Sequence, residues 1–180
     1  MFKSAIMSDC QTYRYVLERR WDHRPLVLAL MFNPSAADAE IDDPTISLLS
    51  HIASHNGYGA VTVVNLIPYR SPEPAGAVEM VRQTGGLPVD KAHALQVNLS
   101  HIKQQASKAS AMLFAWGNLA PNDVAEYVWQ ISNAAAASLP KHANVYCLGV
   151  TQRGNPIHPM ATGRFKVAKN TPFKPWEIKE

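Results

Sequence analysis

Four short apolar runs constrain this chain more than any other feature: Leu26 to Phe32, Ala60 to Leu66, Ala111 to Trp116, and Asn144 to Val150. Each run is near-continuous rather than alternating, the pattern of a strand buried on both faces. In a soluble protein such strands belong to a parallel sheet covered by helices. The gaps are long enough to hold the crossover helices that parallel strands require. Asp43-Pro44 supplies an N-cap and a proline at the first helical position, and Ile46, Leu49 and Ile52-Ala53 continue as a helical stripe. Leu95, Leu99, Ile102 and Ala106 recur at helical spacing after Asp90, as do Val124, Val128, Ile131 and Ala135 after Pro121. A shorter segment with Ala77, Val78 and Val81 closes at Gly85-Gly86.

The ends of the chain read differently. Tyr13, Tyr15 and Leu17 alternate with Arg14, Val16 and Glu18, which predicts a half-exposed, antiparallel edge strand. From Arg164 onward no periodicity is clear. Without an internal repeat or a linker, residues 1–180 are expected to form a single α/β domain. Apolar residues make up 47% of the chain, enough for a sizeable core. Cys10 and Cys147 are too few for a disulfide framework or an iron–sulfur cluster, and Cys147 lies within an apolar run, as a buried thiol would. No segment approaches the roughly 20 apolar residues of a membrane span, so the expected location is cytoplasmic, with no membrane partner. The net charge of +3 is unevenly spread. Residues 31–50 carry acids and no base, whereas 151–180 carry six Lys and Arg against Glu177 and Glu180. That tail fits either solvated charge or a surface that meets phosphates.

Open parallel sheets bind ligands beyond the carboxyl ends of their strands, where strand order reverses. Four loops are thereby predicted to form one site. They carry Asn33-Pro34-Ser35, then Asn65 with Tyr69-Arg70, then Gly117-Asn118, and finally Thr151 through Arg153 and Asn155 to His158-Pro159. Amides, a hydroxyl, a guanidinium and an imidazole converge there without an obvious nucleophile–base pair. Each also has a purely local explanation, as a turn former, a cap or a surface loop residue. Asp42-Asp43 is explained by the helix cap, with a metal as the alternative. His51 and His55 lie four apart, but no set of Cys, His or carboxylates has metal-ligand spacing. Neither a metal nor a cofactor is expected.

Tyr13-Arg14-Tyr15, Trp21-Asp22, Asn33-Pro34-Ser35-Ala36, Asp42-Asp43-Pro44-Thr45, Gly57-Tyr58-Gly59, Asn65-Leu66, Tyr69-Arg70, Ala115-Trp116-Gly117-Asn118 and His158-Pro159 together resemble domain of unknown function family 1643, a group of uncharacterised bacterial and phage proteins. That resemblance carries no activity. A more distant one does. Phe32-Asn33-Pro34-Ser35 resembles the first motif of mismatch-specific uracil/thymine-DNA glycosylases, Val63-Val64-Asn65-Leu66 the Leu-Leu-Asn segment of uracil-DNA glycosylases, and His158-Pro159 their His-Pro-Ser motif. This likeness implies a three-layer α/β/α fold whose four-stranded parallel sheet has order 2-1-3-4. It also implies catalytic roles for Asn33, which would hold the attacking water, and His158, which would stabilise the departing base. Asn65 would read the base edge. Ser35, Tyr69, Arg70 and Asn118 complete the expected substrate-binding set, Tyr69 and Arg70 at the rim.

The departures from that pattern are specific. The first motif has no acidic residue, and an Asn side chain cannot act as a carboxylate base. Met160 stands where the His-Pro-Ser motif has Ser. A glycosylase-like hydrolase acting on a nucleobase, nucleotide or modified base in nucleic acid is the expected function, with a non-catalytic nucleotide or nucleic-acid binder as the alternative. A nucleobase-containing ligand or nucleic acid is the expected partner in either case. The oligomeric state is not fixed by the sequence.

Overall fold

A computed structural model describes residues 1–83, 89–118 and 120–176. Seven strands form one mixed sheet in the order β1-β2-β4-β3-β5-β6-β7. Their ranges are β1 Phe2–Met7, β2 Arg14–Arg20, β3 Leu26–Met31, β4 Ala60–Asn65, β5 Ala111–Phe114, β6 Asn144–Cys147 and β7 Lys174–Pro175. The central four, β4-β3-β5-β6, are parallel and correspond to the four apolar runs, in the order 2-1-3-4. The sheet is larger than the four-stranded one expected, because antiparallel strands extend it on both sides.

The helices are α1 Pro44–His55, α2 Pro74–Arg82, α3 Val89–Ala106 and α4 Ala125–Ala137. Leu49 and Ile52 of α1 pack with Val27, Ala29, Val61 and Val63 on one face of the sheet. The other face, carrying Leu28, Leu30, Val64 and Met112, is covered by residues of α2, α3 and α4, including Val78, Ile102 and Ile131. Helices on both faces explain why all six residues of β4 are buried and why that strand could not alternate. The helical start at Pro44 follows from Asp43, whose side chain accepts a 2.9 Å hydrogen bond from the Ile46 amide. Gly85-Gly86 lies outside the described residues.

The N-terminal expectation needs correction. The strand carrying Tyr15 and Leu17 is antiparallel, yet it is not an edge and not half-exposed. β1 pairs along its outer side and β4 along its inner side, and Arg14, Tyr15, Val16 and Leu17 are all buried. Of the charged residues that suggested a solvated face, Arg14 is enclosed and Glu18 is half-buried. Arg19 is 1% exposed, and its Nε donates to Asp42 Oδ1 at 2.6 Å while its Nη groups reach the carbonyls of Ser4, Glu18, Asp38 and Ile41. This guanidinium fastens the loop before α1 to the sheet. Among the described residues, no helix is long and apolar enough to cross a membrane.

Candidate functional site

Because β3, β4, β5 and β6 are parallel, their carboxyl ends open on one edge of the sheet, where a cavity of about 580 Å³ lies. Asn33, Ser35, Asn65, Asn118 and His158 all line it. Tyr69 and Arg70 do not. The Tyr69 ring instead packs beside Tyr13, with centroids 6.4 Å apart, and lies over Gly76 at the start of α2. Arg70 donates to the carbonyls of Gln11 and Ala36, tying together two loops behind the cavity wall.

Local backbone chemistry sets each of the lining groups. The ladder between β3 and β4 continues past the strands, with the Leu66 amide donating to Met31 O at 2.8 Å and the Ile67 amide to Phe32 O at 3.0 Å. The end of β4 is braced from behind by Asn98 of α3, which donates to the carbonyls of Asn65 and Leu66, and by the Tyr127 hydroxyl, which donates to Leu66 O at 2.8 Å. Asn33 Nδ2 is committed to Ser71 O at 2.8 Å and Pro34 O at 3.1 Å, leaving Oδ1 as its free acceptor. Asn118 Oδ1 accepts from Thr151 Oγ1 at 2.8 Å and Asn155 Nδ2 at 3.0 Å, joining the loops after β5 and β6. Gly117, at φ 69°, lets the chain turn toward His158. A Cβ there would sit 3.0 Å from His158 Cβ, so the close approach of these loops depends on the missing side chain.

The cavity's electrostatics come from three residues. His158 Nδ1 accepts a 3.1 Å hydrogen bond from the Met160 amide, which makes Nε2 the protonated nitrogen. Burial pulls the imidazole down to about 4, against the attraction of Asp43, so at neutral pH it is an uncharged N–H donor. The Asp43 carboxylate also lines the cavity, with one oxygen engaged by the α1 cap. Arg14 is the third, 3% exposed. Its Nη1 donates to Ala37 O at 2.8 Å and its Nη2 to Asn65 Oδ1 at 3.3 Å. Burial lowers its guanidinium to about 10, with Asp43 opposing the shift.

Asp43 and Arg14 were not among the residues expected here. Asp43 reads in the sequence as a helix cap, with a metal ligand as the alternative, and not as a member of the strand-end set. Arg14 reads as a solvent-facing residue of an alternating strand, whereas in the fold its guanidinium is buried against Ala37 in the loop after β3 and Asn65 at the end of β4. Asp42, its neighbour, faces Lys3 and Arg19 at 2.8 and 2.6 Å. Among the described residues, no group of three or more His, Cys, Asp or Glu is placed to hold a metal ion. A second cleft, of about 800 Å³, lies between α4 and the loop after β6, lined by Trp116, Trp129, Trp176 and Arg153. Of the strand-end amides, it reaches Asn155 but not Asn33, Asn65 or Asn118.

Fold and site together define a mixed α/β protein with a polar, strand-end cavity built from one amide after another. The chain belongs to the family described as Protein of unknown function (DUF1643), whose match spans residues 14–160 and so covers β2 through the His158 loop. Comparison with curated proteins and with solved structures gave no match.

Proposed function

We propose that this protein is a glycosylase-like hydrolase that cleaves the bond between a nucleobase and its sugar. The observation that carries this reading is the meeting, in one cavity, of a neutral imidazole N–H donor at His158, the Asn33 and Asn65 amides and the Asp43 carboxylate. Glycosidic cleavage builds positive charge on the sugar and negative charge on the base, and needs positioned dipoles more than covalent chemistry. Water adds its oxygen to the anomeric carbon, and the carbon–nitrogen bond breaks with its electron pair leaving on the base. The proton released by the water goes to the Asp43 oxygen not used by the helix cap. Asn33 Oδ1 accepts a hydrogen bond from the same water. His158 Nε2–H donates to the base oxygen on which charge develops, which a neutral imidazole does without first losing a proton. The carboxylate that the first motif lacks is thus supplied ten residues later, at the cap of α1.

The alternative of a binder without turnover is favoured by one observation: both Asn33 Nδ2 bonds hold a loop, as a purely structural residue's would. A screen against nucleosides, nucleotides and modified-base oligonucleotides, with mass spectrometry of released base, separates the two. A released base that disappears in Asp43→Asn establishes the hydrolase. Asn caps helices about as well as Asp, so this variant is expected to keep its melting temperature while losing turnover by about 10²-fold or more. Saturable binding without release in the wild type makes the protein a binder.

A further inference from the structure

Arg14 is a buried cation whose binding capacity is only partly used. A guanidinium carries five N–H donors, and two hydrogen bonds account for its partners, Ala37 O and Asn65 Oδ1. Its Nε is buried and has no hydrogen-bond partner among the described residues. None of the ion pairs among them includes Arg14. Buried charges without a counter-ion are costly, and they persist where a ligand completes them. Arg14 also dictates what Asn65 presents. Since arginine can only donate, Asn65 Oδ1 must face it, and Asn65 Nδ2 is left without a partner among the described residues. Both residues line the cavity, so its wall at the end of β4 offers N–H donors side by side. The first turn of α1, through Thr45 and Ile46, borders the same space and adds the positive end of a helix dipole. Asp43 and Asp38 are the nearby opposing charges, set against the like charges of Arg70 and Arg19. Asp43 makes no ion pair with Arg14 and is partly occupied by the Ile46 amide.

We propose that Arg14 and Asn65 form an oxyanion subsite, and that the ligand is a small molecule carrying a terminal phosphate, a nucleoside monophosphate in the chemistry described above. This assignment of the phosphate rests on the nucleobase reading, but the subsite itself does not. A phosphate within a polymer has chain leaving on both sides, whereas a terminal one can be brought against a guanidinium that is 3% exposed. A cavity of about 580 Å³ has room for a ligand of that size. Asn65 then donates to a phosphate oxygen rather than pairing with both edges of a base amide.

The test uses the full chain and four probes: inorganic phosphate, a panel of nucleoside monophosphates, the matched nucleosides, and a single-stranded oligonucleotide. Calorimetry is expected to show saturable binding of monophosphates at least tenfold tighter than the matched nucleosides, with inorganic phosphate competing. Arg14→Met is expected to erase that difference, and Arg14→Lys to retain part of it because charge survives without the planar fork. Since Arg14 also supports Ala37 and Asn65, either variant can lose stability. The wild type therefore carries an independent readout, the Arg14 Nε–H resonance assigned through its own side-chain carbons. It is expected to shift and to exchange more slowly when phosphate is added. No shift with any phosphate-bearing probe, or equal affinity for nucleosides and monophosphates, overturns the subsite while leaving the nucleobase reading intact. Binding of phosphate through Arg14 with no dependence on the base sustains the subsite and removes the nucleobase. Tight binding of the oligonucleotide without binding of monophosphates overturns the terminal-phosphate assignment.

Discussion

His158 is kept as a neutral donor by two independent features, a backbone amide that occupies Nδ1 and burial that disfavours the imidazolium. Its folded value of about 4 lies below the ordinary one near 6.5, so between those values the unfolded chain binds the proton and the folded chain does not. Stability is therefore complete above about pH 6.5 and falls as pH drops toward 4, by about 3 kcal/mol from this residue. Urea melts across that window are expected to show the slope, and His158→Gln to flatten most of it. His101, which burial also shifts downward and which stacks on Tyr15, adds to the slope, and aspartates held low by their hydrogen bonds, such as Asp38 and Asp42, add at its acid end. Cysteine chemistry offers a simpler check. Hydrogen bonds from Ser8 and Thr12 lower the exposed Cys10 thiol to about 7, whereas Cys147 is buried and burial raises its thiol. Alkylation of the native protein at neutral pH, read by mass spectrometry, is expected to modify Cys10 and spare Cys147. At this scale the sequence exposes residues that sit just past an apolar run. Asn33 and Asn118 were legible for that reason, Asn65 as the polar residue near the end of its run, and His158 through the loop that follows the fourth run. Arg14 was not, because the groups that enclose it, Ala37 and Asn65, lie far along the chain from its own strand.

Between residues and fold, the loop from Phe32 to Asp43 shows how an element is held. It has no helix or strand of its own, and much of its order comes from two guanidinium groups reaching out of β2. Arg19 takes the carbonyls of Asp38 and Ile41 and the Asp42 carboxylate, while Arg14 takes the carbonyl of Ala37. Asp42→Ala removes the only carboxylate paired with Arg19 among the described residues and leaves that cation enclosed. A loss of about 2–4 kcal/mol is expected in chemical denaturation, somewhat below the cost of breaking a fully buried pair because Asp42 remains partly exposed. Arg19→Met, which removes the charge as well, is expected to cost less than Asp42→Ala. The reverse order would mean that Arg19's carbonyl bonds, not its ion pair, stabilise the loop. The four central strands were visible in the sequence because burial on both faces leaves an unbroken apolar run. β1 and β7 were not, since Phe2, Lys174 and Pro175 are exposed and edge strands carry no such signature.

At the scale of the whole molecule, one sheet separates two apolar layers that share its strands residue by residue. Leu28 and Leu30 of β3 face the layer beneath α2, α3 and α4, and Val27, Ala29 and Met31 face the layer beneath α1. Neither layer can come apart without uncovering the strands that support the other, which argues for one cooperative unit across β1 to β7. Leu49 in α1 and Ile102 in α3 are both fully buried, on opposite faces of the sheet. Truncating either to alanine is expected to cost about 2–5 kcal/mol through lost burial and the cavity left behind. If the chain is one unit, each variant moves the same single transition in calorimetry, with calorimetric and van't Hoff enthalpies equal. Two separable transitions, with Leu49→Ala moving one and Ile102→Ala the other, would show that the two layers unfold independently. The cavity at the strand ends would then lie on a boundary between them rather than on a rigid edge. A ligand that bridges Arg14 on β2, Asn65 on β4 and His158 beyond β6 should raise that one transition as a whole, because its contacts span the parallel core from side to side.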